Sequence, residues 1–194
     1  MNGDRDILQA GRHGAVFGGA SFTLAHRLKR LAWATAWLVL ARWTPAPMRT
    51  WRIMVLRACG ARVHATANVY GSARIWYPPN LTMHAHATLG PRVNCYNMAA
   101  IVVGERALVS QGAHLCCGSH DVDDAHFQLV AKPIVIGEGA WVAAEAFVGP
   151  GVEIGNGAVL GARGVAFTNL EPGMIYAGNP ARPLRPRRLA GAGA

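Results

Sequence analysis

The sequence predicts an all-β solenoid, a parallel β-helix of about five coils, because residues 136–165 repeat every six positions. Branched residues recur at this spacing, namely Ile136, Val142, Val148, Ile154 and Leu160. A small residue, glycine or alanine, directly follows each of them. A period of six fits neither an α-helix nor an ordinary strand. Each repeat is therefore expected to form one flat side of a triangular coil, with the branched side chain inside the prism and small residues at its corners.

Composition and charge fit this fold and limit the partners. The 194 residues are 52% apolar and 15% charged, and 23 of them are glycine. Lys and Arg number 19 against 10 Asp and Glu, a net charge of +9 that favours anionic partners such as a phosphorylated cofactor, an acidic saccharide or anionic lipid. No nucleic-acid-binding motif appears, so we expect no nucleic acid among the partners. Four cysteines without CxxC spacing indicate a reducing compartment, the cytoplasm.

The N-terminal third is predicted to stand apart from the repeat. Residues 1–21 show no periodicity and are expected to form a flexible arm, whereas residues 22–60 are expected to form a helical appendage. The first helix covers residues 22–43, with Ser21 as its N-cap. A second, shorter helix ends before Gly60, which occupies the position of a C-terminal cap.

The first helix allows two interpretations. Its apolar run, residues 31–41, is too short to cross a bilayer. The helix packs over the end of the prism or against a neighbouring subunit, or else it makes a peripheral contact with the inner membrane face through residues 22–43. In the second case the indoles of Trp33, Trp37 and Trp43 would lie among the lipid headgroups.

The β-helix is predicted over residues 61–168, and residues 169–194 are predicted to form a C-terminal cap and tail. The early repeat positions share one phase: Val63, Val69, Ile75, Leu81, Ala87 and Val93. The phase then slips before Val103. A loop insertion at 121–133 interrupts the coils, and a loop in an otherwise regular solenoid is usually functional.

His120 is the catalytic candidate that position alone selects. It ends the regular coil in the segment CGSHDVDD, where the insertion begins. A histidine at the rim of a coil, beside a loop, can reach a bound substrate as a general base. The alternative is an ordinary surface histidine.

Four segments, taken in order, resemble one protein family. These are GSHD at His120, KPIVIG, the repeat GEGAWVAAEAFVGPGVEIGNGAVLGARGV, and the tail AGNPARPLR. Together they resemble the hexapeptide-repeat acyltransferases, in particular the colanic acid biosynthesis acetyltransferases, a group similar to galactoside, maltose and nodulation sugar O-acetyltransferases. The resemblance covers residues 63–185. It implies a left-handed parallel β-helix, a homotrimer with active sites between subunits, and acetyl-CoA as acyl donor, with no metal.

The resemblance also implies roles for individual residues. His120 would take the proton from a sugar hydroxyl as its oxygen attacks the acetyl thioester. The acceptor-binding candidates are Asn94, Asn97, Asp121 and Trp141, and the phase slip leaves the choice between the two asparagines open. The candidates for binding acetyl-CoA are Ala143, Ala144, Gly161, Ala162, Phe167, Thr168, Arg182 and Arg185. The chain departs from the family in having Phe-Thr at 167–168, where a Thr-Lys pair is common, and Arg163 where glycine is common.

The expected function is acetyl-CoA-dependent O-acetylation of a sugar hydroxyl in exopolysaccharide biosynthesis, on an acceptor that is lipid-linked, nucleotide-linked or free. A sugar-amine N-acetyltransferase is the first alternative. A second is a zinc enzyme of the γ-carbonic anhydrase type, suggested by the histidines His84, His86, His114, His120 and His126. The five-residue spacing of that family's later ligands is absent. A third is a non-catalytic scaffold, which would tolerate any residue at position 120.

Overall fold

Strands of two to five residues, separated by tight corners, build the body of the protein. The computed structural model describes residues 7–12 and 21–188, and residues 1–6, 13–20 and 189–194 lie outside the described part. The strands are β1 (Arg62–Val63), β2 (Asn68–Val69), β3 (Arg74–Ile75), β4 (Leu81–Met83), β5 (Thr88–Leu89), β6 (Asn94–Tyr96), β7 (Ile101–Val103), β8 (Leu108–Val109), β9 (His114–Cys116), β10 (Gly118–His120), β11 (Leu129–Ala131), β12 (Ile134–Ile136), β13 (Trp141–Val142), β14 (Phe147–Val148), β15 (Glu153–Ile154), β16 (Val159–Leu160), β17 (Val165–Ala166), β18 (Met174–Ala177) and β19 (Arg182–Pro186).

Three parallel sheets form the sides of a triangular prism. Sheet 1 contains β1, β4, β7, β12 and β15, and sheet 3 contains β3, β6, β9, β14 and β17. Sheet 2 contains β2, β5, β8, β13, β16 and β18, with β19 antiparallel at its end. Five complete coils are followed by a partial sixth. We call the corner between sheets 2 and 3 the 2–3 edge, and the corner between sheets 3 and 1 the 3–1 edge.

Stacked branched side chains fill the prism, and the predicted phase holds for Val63, Val69 and Ile75 but is wrong by two residues from Leu81 to Val93. Val63 lies opposite Met83, not Leu81. The extra residues form a 3₁₀ turn, Pro78–Asn80, at the 3–1 edge. Leu81 is also fully buried, because residues two apart on a strand share a face. Apolar character therefore could not distinguish the two phases.

Glycine is required at corners where the backbone of the next coil approaches closely. A Cβ on Gly155 would lie 2.6 Å from the backbone nitrogen of Pro172 in the next coil, so that position admits no side chain. The left-handed backbone conformation falls elsewhere, three residues after the core position. Glu145 and Arg163 occupy such positions with φ of 57° and 56°, a conformation that glycine adopts without strain.

Two helices cover the start of the prism. They are α1 (Leu24–Leu40) and α2 (Arg49–Ala58), joined by the 3₁₀ turn Ala46–Met48. The N-cap of α1 is Thr23, whose hydroxyl accepts from the backbone N–H of His26 at 3.2 Å, and not Ser21 as predicted. The helix α2 ends at Ala58, and Gly60 follows in the left-handed conformation (φ 96°) of a C-terminal cap, as predicted.

The helix α1 lies against the first coil. The indole N–H of Trp33 donates to the carbonyl of Ile75 at 2.6 Å, and that of Trp37 donates to the carbonyl of Ala73 at 3.1 Å. Both indoles are buried. Within residues 7–12 and 21–188, no helix combines the length and the apolarity that crossing a bilayer requires.

A buried arginine ties α2 to the prism. The Arg52 side chain is fully buried, and its Nε donates to the carbonyl of Val69 at 2.6 Å. Its two terminal nitrogens donate to the carbonyls of Pro45 and Ala46 at 2.7 and 2.8 Å. The guanidinium thus holds the turn between α1 and α2 against the prism by donating to three backbone carbonyls.

We expect Arg52→Lys to lower the free energy of unfolding by about 2–4 kcal/mol, because one ammonium cannot reach all of these carbonyls. Urea unfolding followed by circular dichroism measures the change. Arg62→Lys, on the exposed side of β1, is the matched control and should change stability by no more than about 0.5 kcal/mol. Equal losses in the two variants would contradict this role for Arg52.

Candidate active site

The insertion is a β-hairpin rooted at the 3–1 edge. Strands β10 and β11 pair antiparallel, with His120 opposite Leu129. The hairpin therefore begins before His120, at Gly118, and its tip includes most of the predicted 121–133 loop. The described part of the N-terminal arm, residues 7–12, binds it: the Gln128 side chain accepts from the backbone N–H of Ala10 at 2.6 Å.

Phe127 fixes the orientation of the His120 ring. The carbonyl of Phe127 lies 2.8 Å from His120 Nδ1, and the two rings stack with centroids 4.3 Å apart and planes 10° apart. A carbonyl only accepts hydrogen bonds, so Nδ1 carries the proton and the lone pair of the neutral imidazole lies on Nε2. The ring is exposed, which leaves Nε2 accessible to a substrate.

The acidic residues of the loop support the loop and not the histidine. Asp121 accepts from the backbone N–H of Asp123 at 3.1 Å, and Asp124 accepts from that of His126 at 2.6 Å. These are local Asx-type turns. Sequence reasoning missed Phe127, because nothing in its neighbours signals the left-handed conformation, φ 51°, that brings its carbonyl to His120.

A column of outward-facing side chains crosses sheet 3 beside the hairpin. Arg74, Asn94, His114 and Phe147 lie on successive coils, each opposite the next in register. Adjacent strands are about 4.8 Å apart, so these neighbours touch. The amide nitrogen of Asn94 lies 3.1 Å from His114 Nε2, and burial lowers the pKa of His114. Both observations fit a neutral His114 that accepts from the amide.

The structure separates the two candidate asparagines. Asn97 is fully buried, and both ends of its amide are used by the backbone of Tyr77, at 2.9 and 2.7 Å. Asn97 is therefore a core residue that joins two coils, which corrects its assignment as an acceptor-binding candidate. Asn94 remains, because it faces outward on sheet 3.

Asn94 lines a groove between α1 and sheet 3 with a cavity volume of about 310 Å³. We call it the arginine groove, and its lining residues include Arg30, Arg42, Arg74, Trp76 and Asn94. None of its lining residues is acidic. The Arg30 guanidinium lies 4.1 Å from the centre of the Trp76 ring, a cation–π contact. The groove therefore combines positive charge with an aromatic wall, a lining that could be recognised only once the coil register was known.

The groove and the hairpin share one side of the prism. The rings of Trp76 and Tyr96 meet edge to face at 5.6 Å. A Cβ on Gly118, at the root of the hairpin, would lie 3.1 Å from the Tyr96 ring. A ligand in the arginine groove thus lies on the same face as the base of the strand that carries His120.

Trp141 lies elsewhere. It belongs to sheet 2, between Leu108 and Val159 in register, and its indole N–H donates to the hydroxyl of Ser110 at 2.9 Å. Asn94 faces outward from sheet 3, so within one subunit Trp141 and Asn94 occupy different sides of the prism.

The 2–3 edge carries a column of small residues. Ala143–Ala144 and Gly161–Ala162 form successive corners there, joined by a 2.9 Å bond from the Ala143 N–H to the carbonyl of Leu160. A Cβ on Gly161 would lie 3.1 Å from the carbonyl oxygen of Tyr176. Beyond this column, Arg182 and Arg185 are exposed on β19. Six of the eight residues assigned to acetyl-CoA therefore lie along this edge or beyond its end.

The other two residues assigned to acetyl-CoA lie across the prism side. Phe167 and Thr168 are exposed at the 3–1 edge, after β17, and the Phe167 ring is 5.6 Å from that of Phe147. The hairpin that carries His120 is rooted at the same edge. One full side of the prism, sheet 3, thus separates the small-residue column from the base of the hairpin.

Comparisons with known proteins decide the family. No family model matches the chain. The sequence is 40% identical over 158 residues, 81% of this chain and 86% of the relative, to the Escherichia coli K12 protein named "Putative colanic acid biosynthesis acetyltransferase WcaF". The chain belongs to the hexapeptide-repeat acetyltransferase family. The family and the fold class predicted from the sequence, a left-handed parallel β-helix with N-terminal helices, are both confirmed.

Solved structures show the same fold at low sequence identity. A maltose O-acetyltransferase from Clostridium difficile 630 matches this acetyltransferase with a TM-score of 0.77 and 19% identity, covering 86% of this chain and 90% of that one. A hexapeptide-repeat acetyltransferase from Vibrio cholerae O1 biovar eltor, solved in complex with acetyl coenzyme A, matches with a TM-score of 0.74 and 22% identity, covering 91% and 96%.

The cysteines of the acetyltransferase are poor nucleophiles. Burial raises the pKa of Cys117 to about 12, and it also raises the pKa of Cys116. Both thiols therefore stay protonated at neutral pH, and the thiolate is the reactive form. Over residues 7–12 and 21–188, the structure contains no group of three or more His, Cys, Asp or Glu side chains arranged to hold a metal ion.

We expect the stability of the acetyltransferase to fall as the pH drops below about 6.5, the ordinary histidine pKa, and His114→Gln to reduce that fall. Burial lowers the pKa of folded His114, so the unfolded chain binds protons more readily and acid favours unfolding. Urea midpoints at about pH 8 and about pH 5.5 test this. An identical acid-side loss in the wild-type protein and the variant would refute the assignment.

Proposed function

We propose that this acetyltransferase transfers the acetyl group of acetyl-CoA to a sugar hydroxyl in exopolysaccharide biosynthesis, with His120 as general base. The observation that carries the proposal is the 2.8 Å contact between His120 Nδ1 and the carbonyl of Phe127, which leaves an exposed Nε2 lone pair. The E. coli relative named for colanic acid biosynthesis supports the pathway, and the two solved relatives support a sugar acceptor and acetyl coenzyme A as donor.

The chemistry follows from the acidity of the acceptor. A sugar hydroxyl is too weak an acid to ionise at neutral pH, so Nε2 of His120 removes its proton as the oxygen attacks the thioester carbonyl. The C–O bond forms, and the oxyanion of the tetrahedral intermediate is stabilised by backbone N–H donors. The C–S bond then breaks, and the imidazolium returns the proton to the departing CoA sulfur. No protein nucleophile takes part.

The placement of the site residues favours a homotrimer with active sites between subunits. The small-residue column lies at the 2–3 edge, whereas His120 projects from a hairpin rooted at the 3–1 edge. A neighbouring copy can bring its 2–3 edge against this hairpin. The pantetheine arm would lie along the backbone of the column, and Arg182 and Arg185 beyond it would pair with the phosphates.

The arginine groove supports an anionic acceptor, a saccharide linked to a lipid or a nucleotide through phosphate. Arg30 and Arg74 supply charge, Arg30 lies over the Trp76 ring, and the oxygen of the Asn94 side chain can accept from a hydroxyl. The four cysteines are all unpaired. We therefore place the reaction in a reducing compartment, the cytoplasm.

We expect His120→Gln to lower kcat for acetyl transfer by about 10²–10⁴-fold while acetyl-CoA still binds, because glutamine keeps a polar side chain but cannot accept the proton. Release of free CoA thiol, with a panel of phosphate-linked and free saccharides, measures the rate. His84→Gln, an exposed histidine on another coil, should retain wild-type activity. A His120→Gln protein with the wild-type kcat would contradict the role of His120 as base, whereas a wild-type protein that releases no CoA with any acceptor would support a scaffold.

The product decides between oxygen and nitrogen acceptors. We expect an acetyl ester, which hydroxylamine cleaves, when the panel includes both hydroxyl and amino sugars. A stable amide on an amino sugar, with no ester formed on any acceptor, would replace the proposal with sugar-amine N-acetylation.

We expect Ala162→Trp to raise KM for acetyl-CoA by about tenfold or more without lowering the unfolding midpoint, because the exposed indole would fill the path of the pantetheine arm. Ala65→Trp, at an exposed corner of the first coil, is the matched control and should leave KM unchanged. If both variants kept the wild-type KM, the column would not be the binding site for the arm.

A further inference from the structure

The helix α1 has two apolar faces, and the prism covers only one of them. The buried face contains Trp33, Trp37 and, just past the helix end, Ala41. Leucine and valine side chains on the opposite face are 56–69% exposed: Leu24, Leu28, Leu31, Leu38 and Val39. We call these five residues the outer stripe. A surface helix normally presents polar residues on the face away from the core, so this stripe requires a partner.

The charge around the outer stripe indicates which partner. Residues 7–104 contain none of the 10 acidic residues of the chain and 11 of its 19 Lys and Arg residues. Arg27 and Lys29 are exposed on α1 itself, and Arg42 follows it. An apolar stripe flanked by basic side chains, with no acidic residue between positions 7 and 104, is the pattern of a helix that lies in the interface of an anionic bilayer.

We infer that the outer stripe of α1 docks on an anionic lipid surface, with the helix parallel to the membrane plane. The leucines enter the boundary between headgroups and acyl chains, and the basic side chains meet the phosphates. Trp43, 69% exposed just beyond the helix, is an aromatic side chain available at the interface. Trp33 and Trp37 are not available, because they are buried against the first coil, which corrects their expected place among the headgroups.

This orientation has a consequence for the acceptor. The arginine groove lies along the flank of the same helix, and Leu38 belongs both to its lining and to the outer stripe. Docking through the stripe would therefore hold the groove beside the headgroup layer. That position suits a saccharide joined through phosphate to a lipid embedded in the same surface. This last step alone depends on the proposed function, whereas docking itself does not.

Co-sedimentation of the full chain with vesicles tests the docking, without acetyl-CoA or acceptor. We expect binding to equimolar phosphatidylcholine–phosphatidylglycerol vesicles, little binding to phosphatidylcholine alone, and weaker binding as salt is added. The double variant Leu28→Gln/Leu31→Gln should weaken binding by about tenfold or more, because it removes apolar area that enters the bilayer. Both positions are exposed, so the fold should be retained, and circular dichroism checks this.

A matched control distinguishes the loss of the outer stripe from the loss of exposed apolar area elsewhere on the protein. Val122→Gln/Leu184→Gln changes two apolar side chains away from α1 that are at least as exposed as Leu28 and Leu31, at 76% and 64%, and should bind vesicles as the wild-type protein does. Equal losses in the two double variants would overturn the proposal. Failure of the wild-type protein to bind anionic vesicles would also overturn it.

A second copy of the chain is the rival occupant. If the outer stripe were a subunit contact, the Leu28→Gln/Leu31→Gln protein would change its oligomeric mass in light scattering, and the wild-type protein would ignore vesicles. That result would replace the lipid proposal with a protein interface. An unchanged mass with lost vesicle binding supports lipid docking.

Discussion

The parallel backbone ladder that places each coil directly on the one before it determines everything else in this protein. The ladder fixes which outward side chains become neighbours, so residues 20 positions apart, such as Arg74 and Asn94, meet in register. The same constraint aligns corners into edges. Small residues far apart in sequence, at 143–144 and 161–162, therefore become one continuous strip. A site on such a scaffold needs few departures from the regular coils. Here the main departure is the hairpin 118–131.

Much of the fold could be predicted, because a strict six-residue period has few physical explanations. The six-residue period did not predict which residue of β4 continues the repeat, because Leu81 and Met83 are both apolar and both face inward. The 3₁₀ turn Pro78–Asn80 shifts the repeat to Met83. His120 could be predicted because an interruption of a regular coil marks it. Phe127 could not, since its carbonyl reaches the imidazole through a backbone conformation with no sequence signal. The burial of Asn97 likewise depends on a contact across coils.

The apolar sequence of α1 supplies two different surfaces of the folded protein. An apolar run predicted packing or membrane contact as alternatives, whereas the structure packs one face of α1 on the prism and leaves the other exposed, the face that we propose docks on lipid. The indoles of Trp33 and Trp37 anchor one face to the prism, and the leucines of the outer stripe are left exposed on the other. The arginine groove lies at the junction, and Arg42, which lines the groove, also belongs to the basic residues beside the outer stripe.

Subunit mixing tests most directly whether the base and the thioester come from different copies. Proteins carrying His120→Gln and Ala162→Trp are each expected to be nearly inactive under conditions where acetyl-CoA is scarce. In a trimer that contains both, one interface joins an intact His120 to an intact small-residue column, and we expect activity to return when the two proteins are unfolded, mixed and refolded together. Mixed trimers as inactive as their parents would contradict the account, because base and column would then belong to one subunit.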